Sequence, residues 1–226
     1  MIQRIHYFFL LFLLLTVVSA SACKSRTSSN TTTPTATKTE KDDDIGPENI
    51  KIFNSDGKPI LKLKEKAYGY KLYQLDDSDP PDQQPIGKLK FDEGNIKLED
   101  ATGKVIYKFR ANENKIKIED IAGQLLYSLQ PQDSGFKLED ANGQTFYSVK
   151  VDASGYQVTD STAQLLTKIK PNGARIALES AAGNTTMEVK GLNNPLAISA
   201  LAFEKLDQQQ RMALMILLNR KGKSWH

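Results

Sequence analysis

The stretch IKLEDATGKVIYKF (residues 96–109) is followed by IKIEDIAGQLLYSL (116–129) and FKLEDANGQTFYSV (136–149), each starting twenty residues after the last. Within one copy, two short runs alternate in polarity. Ile96 and Leu98 share one side, Lys97 and Glu99 the other; Val105, Tyr107 and Phe109 share one side, Ile106, Lys108 and Arg110 the other. Alternation with period two marks a strand with one buried face. Between the runs stands Asp-x-x-Gly. The aspartate bonds the backbone ahead of it and the glycine takes positive φ, which is the chemistry of a tight turn closing on a bulge. Each copy reads as a β-hairpin.

The register extends outward. Asp100, Asp120, Asp140, Asp160 and Ser180 align, as do Gly103, Gly123, Gly143, Ala163 and Gly183. Ala163 is expected to strain its turn, since only glycine enters positive φ freely. Two earlier copies are IKIFNSDGKPILKLK from Ile50 and YKLYQL from Tyr70, the latter interrupted by DDSDPPDQQP before IGKLKF. Seven units fill residues 50–190. The expected fold is mainly β, an up-and-down antiparallel meander of about 12–14 short strands; sheets that wide curl or close. Closure also removes the exposed edges. A closed barrel is therefore expected over residues 48–192.

The side chains of so wide a wall do not fill its interior. A candidate filler follows: PLAISALAFEKLDQQQRMALMILLNRKGKSWH, from Pro195. Proline suits the first turn of a helix. MALMILL (212–218) is apolar all round, and such a helix must be surrounded. Leu214, Ile216, Leu217 and Leu218 are expected to pack inside the barrel. Asp207 is a candidate cap, so the helix is one bent element or two. Residues 193–226 read as this helix and a basic tail.

These phrases, with LAISALAFEKL and MALMILLN, resemble the superfamily of tubby C-terminal, phospholipid scramblase and LURP-one-related domains. The resemblance covers residues 48–219. It implies a barrel closed around a hydrophobic C-terminal helix, and contact with lipid headgroups. No basic site of the family maps onto this chain, so no binding residue is carried over. A second likeness, to YD-repeat shells, rests on the length of the repeat.

The chain opens MIQRIHYFFLLFLLLTVVSASAC. Arg4, an apolar run from Tyr7 to Val18 and the small residues Ser19–Ala22 follow the order of a secretory signal. The run is short for a bilayer span, which takes roughly 20 residues. Cys23, the single cysteine, resembles the lipidated residue of a bacterial lipobox. The segment after it is rich in Ser and Thr and reads as a mobile tether. The expected division is signal 1–22, and lipid-bearing Cys23 with tether 23–47. The expected address is extracytoplasmic, on the outer membrane or the periplasmic face of a bacterial envelope. The membrane, reached through acylated Cys23, and lipids or envelope proteins are the expected partners.

Other classes are disfavoured. A net charge of +3 is no footprint for nucleic acid. The two histidines, His6 and His226, fall in the signal and at the last position, so Ser–His and Cys–His catalysis lack a base. There is no zinc ligand set and no Gly-rich phosphate loop. No cofactor or metal is expected. Carboxylate acid–base chemistry is the remaining route to an enzyme, such as a hydrolase, and nothing singles out a pair. Asp76, Asp77, Asp79 and Asp82 are oxygen-rich, as calcium loops are. Pro80 and Pro81 and the missing ligand spacing instead favour a surface loop. Lys97, Lys117 and Lys137 opposite Glu99, Glu119 and Glu139 read as a mixed-charge outer face. Tyr107, Tyr127 and Tyr147 read as core packing, with a ligand-facing aromatic stripe as the other option. The function expected is a non-enzymatic interaction or scaffold module at a membrane. The alternative is a carrier of a lipid or small apolar ligand in the lumen.

Overall fold

The computed structural model describes residues 49–222 except Glu113 and Ser154. The signal, Cys23 and the whole of the tether lie outside the described residues, as do the last four residues of the tail.

Fourteen strands follow in order: β1 (Ile50–Asn54), β2 (Pro59–Lys66), β3 (Gly69–Leu75), β4 (Gln83–Asp92), β5 (Asn95–Asp100), β6 (Val105–Ala111) and β7 (Ile116–Asp120). The second half holds β8 (Leu125–Gln132), β9 (Gly135–Asp140), β10 (Thr145–Asp152), β11 (Gly155–Asp160), β12 (Leu165–Asn172), β13 (Arg175–Ser180) and β14 (Thr185–Lys190). Each pairs antiparallel with its sequence neighbours. β1 pairs with β14, Lys51 opposite Lys190 and Ile52 opposite Val189, so the sheet closes into a barrel. The seven hairpin units of the sequence are the seven hairpins of the wall.

The Asp-x-x-Gly turns form one rim. At Asp100, the Gly103 amide donates to the Asp100 carbonyl at 3.1 Å and the Asp100 amide to the Lys104 carbonyl at 2.9 Å. The Asp100 carboxylate accepts from the amides of Thr102 (2.9 Å) and Lys104 (3.1 Å). Asp140 and Asp160 hold their turns through the same pair of amides, and Asp120 accepts from the Gln124 amide at 2.8 Å. Gly103, Gly123, Gly143 and Gly183 take φ of 89°, 84°, 84° and 85°, and Ala163 takes 64°. A methyl group at these glycines would meet nothing within 4 Å, so conformation and not space selects them. The register shifts by one residue beside each such turn, as between Leu98 and Glu99. A bulge of this kind bends and twists the strand, which helps a wide sheet to close.

The opposite rim has different glycines. A Cβ on Gly69, Gly135 or Gly155 would fall 2.0, 1.9 or 2.2 Å from the carbonyl oxygen of Leu89, Val149 or Ile169. Only hydrogen fits there.

From Ile52 on β1 to Val189 on β14, every strand turns at least one fully buried apolar side chain inward. The outer face is charged. Lys90 lies 2.9 Å from Glu99, Arg110 2.8 Å from Glu119 and Lys170 2.8 Å from Glu179. This polarity is the reverse of a lipid-spanning barrel, whose apolar band faces out. Among the described residues, no helix is long and apolar enough to cross a membrane.

Candidate functional site: the plugged lumen

The chain leaves β14 at the rim opposite the Asp-x-x-Gly turns and turns into the barrel. Asn194 caps α1 (Pro195–Ile198), its side-chain oxygen accepting from the amides of Leu196 (3.1 Å) and Ala197 (3.4 Å). A 3₁₀ segment, Ser199–Ala202, continues the descent. The Ser199 hydroxyl is fully buried and donates to the Leu196 carbonyl at 2.6 Å. An elbow, Phe203–Asp207, then reaches the Asp-x-x-Gly rim. α2 (Gln208–Lys221) runs back. Asp207 starts α2 with a reciprocal cap: its carboxylate accepts from the Gln210 amide at 2.7 Å and its amide donates to the Gln210 side chain at 3.0 Å. The helix is therefore two helices, divided at Asp207.

Met212–Leu218 are all buried; Leu214, Ile216, Leu217 and Leu218 are 0–2 % exposed. The four residues expected to fill the lumen lie in the same apolar core as the inward faces of the strands.

The elbow is held by equivalent tyrosines of successive repeats. The Tyr127 hydroxyl donates to the Lys205 carbonyl at 3.3 Å, and the Lys205 amide donates to the Tyr147 hydroxyl at 3.2 Å. Burial, then the Asp207 carboxylate, raises Tyr107 above the ordinary tyrosine range. Burial is also the main cause that raises Tyr147. The stripe is thus neither pure core packing nor an open ligand face: its hydroxyls bind the plug. Nothing in the local sequence of the tyrosines signals this, because the partners are 58 and 78 residues away. Further along, the Gln209 amide donates to the Ile86 carbonyl, and Arg211 donates to the Leu201 carbonyl at 3.1 Å. The far end of α2 is pinned by Arg220 over the Phe91 ring at 3.8 Å and by Lys221 donating to the Asn112 carbonyl at 3.4 Å.

Among the described residues, a depression of about 260 Å³ is lined by Asp92, Asn95, Lys97, Lys108 and Arg110 with Ile96 and Phe109, and one of about 170 Å³ by Pro171, Arg175, Ile176 and Leu192 among others. Ligand pockets usually start near 300 Å³. An open depression of about 560 Å³ lies at Ala111, Asn112, Asn114 and Lys221. Among the described residues there is no histidine, no cysteine and no group of three metal-ligating side chains. The acidic insertion is an exposed loop: Asp76 accepts from the hydroxyl of Ser78 and the amides of Ser78 and Asp82. Asp77 lies 3.7 Å from Lys58.

The fold defines a class: a closed fourteen-stranded antiparallel barrel, lined with apolar side chains and filled by its own C-terminal helices. No protein-family model matches the chain, and no curated protein matches it. Among solved structures it is similar to an Arabidopsis thaliana protein, at 14 % identity and a TM-score of 0.34, over 46 % of this chain and 78 % of that one. It is also similar to alternansucrase in complex with isomaltononaose, at 16 % identity and a TM-score of 0.16, over 63 % of this chain and 13 % of that one. Likeness at these scores carries no argument about activity.

Proposed function

We propose that the barrel is a non-enzymatic binding module for a lipid or small apolar ligand, with the lumen as its site and α1–α2 as the resting occupant. The observation that carries this is the continuous apolar lining, to which every strand contributes. The ligand class follows from what it must replace. Each fully buried Leu, Ile or Met of the plug is worth roughly 1.5–3 kcal/mol. Only an apolar chain returns a comparable burial when the helix shifts. Met212 and Met215 suit a segment that repacks, because unbranched thioethers adapt to irregular surroundings. The test is titration of the delipidated protein with a fluorescent fatty acid, while hydrogen peroxide probes Met212 and Met215. Saturable binding with faster oxidation of the two methionines supports the reading. No saturable binding, and no co-purified lipid by native mass spectrometry, overturns it.

A second reading rests on the N-terminal sequence: a lipid-anchored envelope protein whose plugged barrel is a scaffold. The signal-like start and Cys23 support it. So does the likeness of the repeat phrases to the tubby, scramblase and LURP-one-related superfamily. Cys23→Ser with membrane fractionation tests the anchor; unchanged membrane retention in the variant removes it.

A further inference from the structure

The first turn of α2 is rich in polar side chains, and three of them are matched. The Asp207 carboxylate accepts the Gln210 amide, the Gln210 side chain accepts the Asp207 amide, and the Gln209 side chain donates to the Ile86 carbonyl. Arg211 is matched only in part. One Nη donates to the Leu201 carbonyl at 3.1 Å. The Nε is buried and, among the described residues, has no hydrogen-bond partner. No described carboxylate forms an ion pair with this guanidinium. A buried donor without an acceptor costs free energy, and a cation drawn out of water calls for a counter-charge.

The place of Arg211 in the plug matters as much as its chemistry. It follows the Asp207 cap by four residues, about 6 Å along the helix axis from the elbow. The buried apolar run Met212–Leu218 starts directly after it. Its positive charge partly offsets the burial that raises Tyr147, the residue whose hydroxyl holds the elbow at Lys205. Its bond to Leu201 ties the first limb of the plug, α1 and the 3₁₀ segment, to the second. Granted the lumen as the ligand site, we infer that the ligand is a single-chain carboxylate and that Arg211 anchors its head, the carboxylate taking Nε together with the Nη now on Leu201.

The exchange satisfies both partners. A guanidinium and a carboxylate meet in two parallel N–H···O bonds, which are stronger than the single bond to a neutral carbonyl. The idle Nε gains an acceptor, and one negative charge meets one positive charge. A phosphate monoester, at about −1.5 to −2 charge, would leave part of its charge unpaired. Leu201 loses its tie to Arg211 in the exchange, which releases the first limb from the second. The alkyl chain then lies along the apolar run that begins at Met212. A lysine in place of Arg211 would keep the charge and lose the fork.

The test is displacement of a neutral fluorescent probe, N-phenylnaphthylamine, from the delipidated full chain by lauric acid and by dodecanol at mildly alkaline pH. The two compounds share one alkyl chain and differ at the head. An apolar lumen without an anchor prefers the alcohol, because burying an unpaired carboxylate is costly. Wild type is expected to prefer the acid by about tenfold or more, the scale of charge-assisted hydrogen bonds. In Arg211→Gln the acid should bind no better than the alcohol, and Arg211→Lys should fall between. Wild type that binds the alcohol as tightly as the acid overturns the anchor and leaves the lumen reading standing; this arm needs no variant to fold. A preference for the acid that survives in Arg211→Gln places the anchor elsewhere and overturns the inference as well. Displacement by neither compound overturns the lumen reading, and the anchor with it.

Discussion

The ring of Tyr147 on β10 lies against the ring of Phe203 in the elbow of the plug, centroids 5.0 Å apart and planes 12° from parallel. Phe136 meets the same phenylalanine edge-on, at 6.0 Å and 88°. The hydroxyl of Tyr147 also accepts the Lys205 amide. One wall residue thus grips the plug by an apolar face and a polar tip, as a buried tyrosine is suited to do.

The two grips separate by substitution. Tyr147→Phe keeps the stack and leaves the Lys205 amide without its acceptor, at an expected loss of about 0.5–1.5 kcal/mol. Tyr147→Ala removes the ring as well and is expected to lose about 3–5 kcal/mol, as large buried aromatics do. Urea unfolding measures both; equal losses would show that the ring contributes nothing beyond its hydroxyl, and an unchanged Tyr147→Phe that the hydroxyl contributes nothing.

The same tyrosines set an alkaline limit. Tyr107 and Tyr147 have folded pKa values raised by burial, so their neutral forms favour the folded state. The stability they contribute is complete below the ordinary tyrosine pKa and is lost as pH rises through the raised folded values. Absorbance titration should find these two ionising above the ordinary tyrosine range. Early, reversible ionisation of both in the native state would contradict this.

Filling of the lumen is tested at Leu217. Leu217→Ala is expected to destabilise by about 2–5 kcal/mol. Leu217→Met, which conserves volume, is expected to lose less than about 1.5 kcal/mol. Thermal and urea melts give the comparison. A near-neutral alanine variant would mean that α2 does not support the wall.

The glycines divide into two kinds with different penalties. Ala163→Gly relieves a left-handed alanine, a conformation unfavourable by roughly 1–2 kcal/mol for an L-residue. Part of that gain is offset by the freer unfolded chain. A net stabilisation of up to about 1 kcal/mol is expected, and a loss of similar size for Gly123→Ala. Gly135→Ala is steric instead: its Cβ falls 1.9 Å from the Val149 carbonyl oxygen. Its penalty should exceed that of Gly123→Ala, reaching at least the roughly 1–3 kcal/mol of an overpacked site. The reverse order in chemical denaturation would refute the distinction.

The turn aspartates give an acid-side test. The hydroxyls of Thr102 and Thr162 donate to Asp100 and Asp160 at 2.6 and 2.7 Å, and these bonds are the largest cause holding both carboxyls below the ordinary range. Their contribution is present above the unfolded carboxylate pKa and lost as pH falls through the lowered folded values. Thr102→Val should raise the Asp100 midpoint in an NMR titration and leave that of Asp160 in place. An unmoved Asp100 would remove the hydroxyl as the cause.

The wall was legible because its information is local. Ile96 and Leu98 face in, Lys97 and Glu99 face out, and the Asp100–Gly103 turn returns the chain, all within one hairpin. Closure was legible one step later, from strand number and the cost of open edges. The all-apolar Met212–Leu218 run also showed that it needs surrounding. What could not be read were relations between distant residues: the hydroxyls of Tyr127 and Tyr147 on Lys205, Gln209 on Ile86, and the close approach of Gly135 to Val149. A glycine in a strand looks the same whether it faces space or a carbonyl.

The seam between β1 and β14 places Lys51 beside Lys190. It joins the first of the described strands to the last, and the segment that fills the interior follows later in the chain. Pairings so distant in sequence close slowly, because loop entropy is lost before contacts form. Until residue 190 is available the wall is a curved sheet with two open edges and a bare apolar face. Its completion therefore waits for residues 185–190, and a chain truncated before α2 would present that face to whatever binds unfolded proteins.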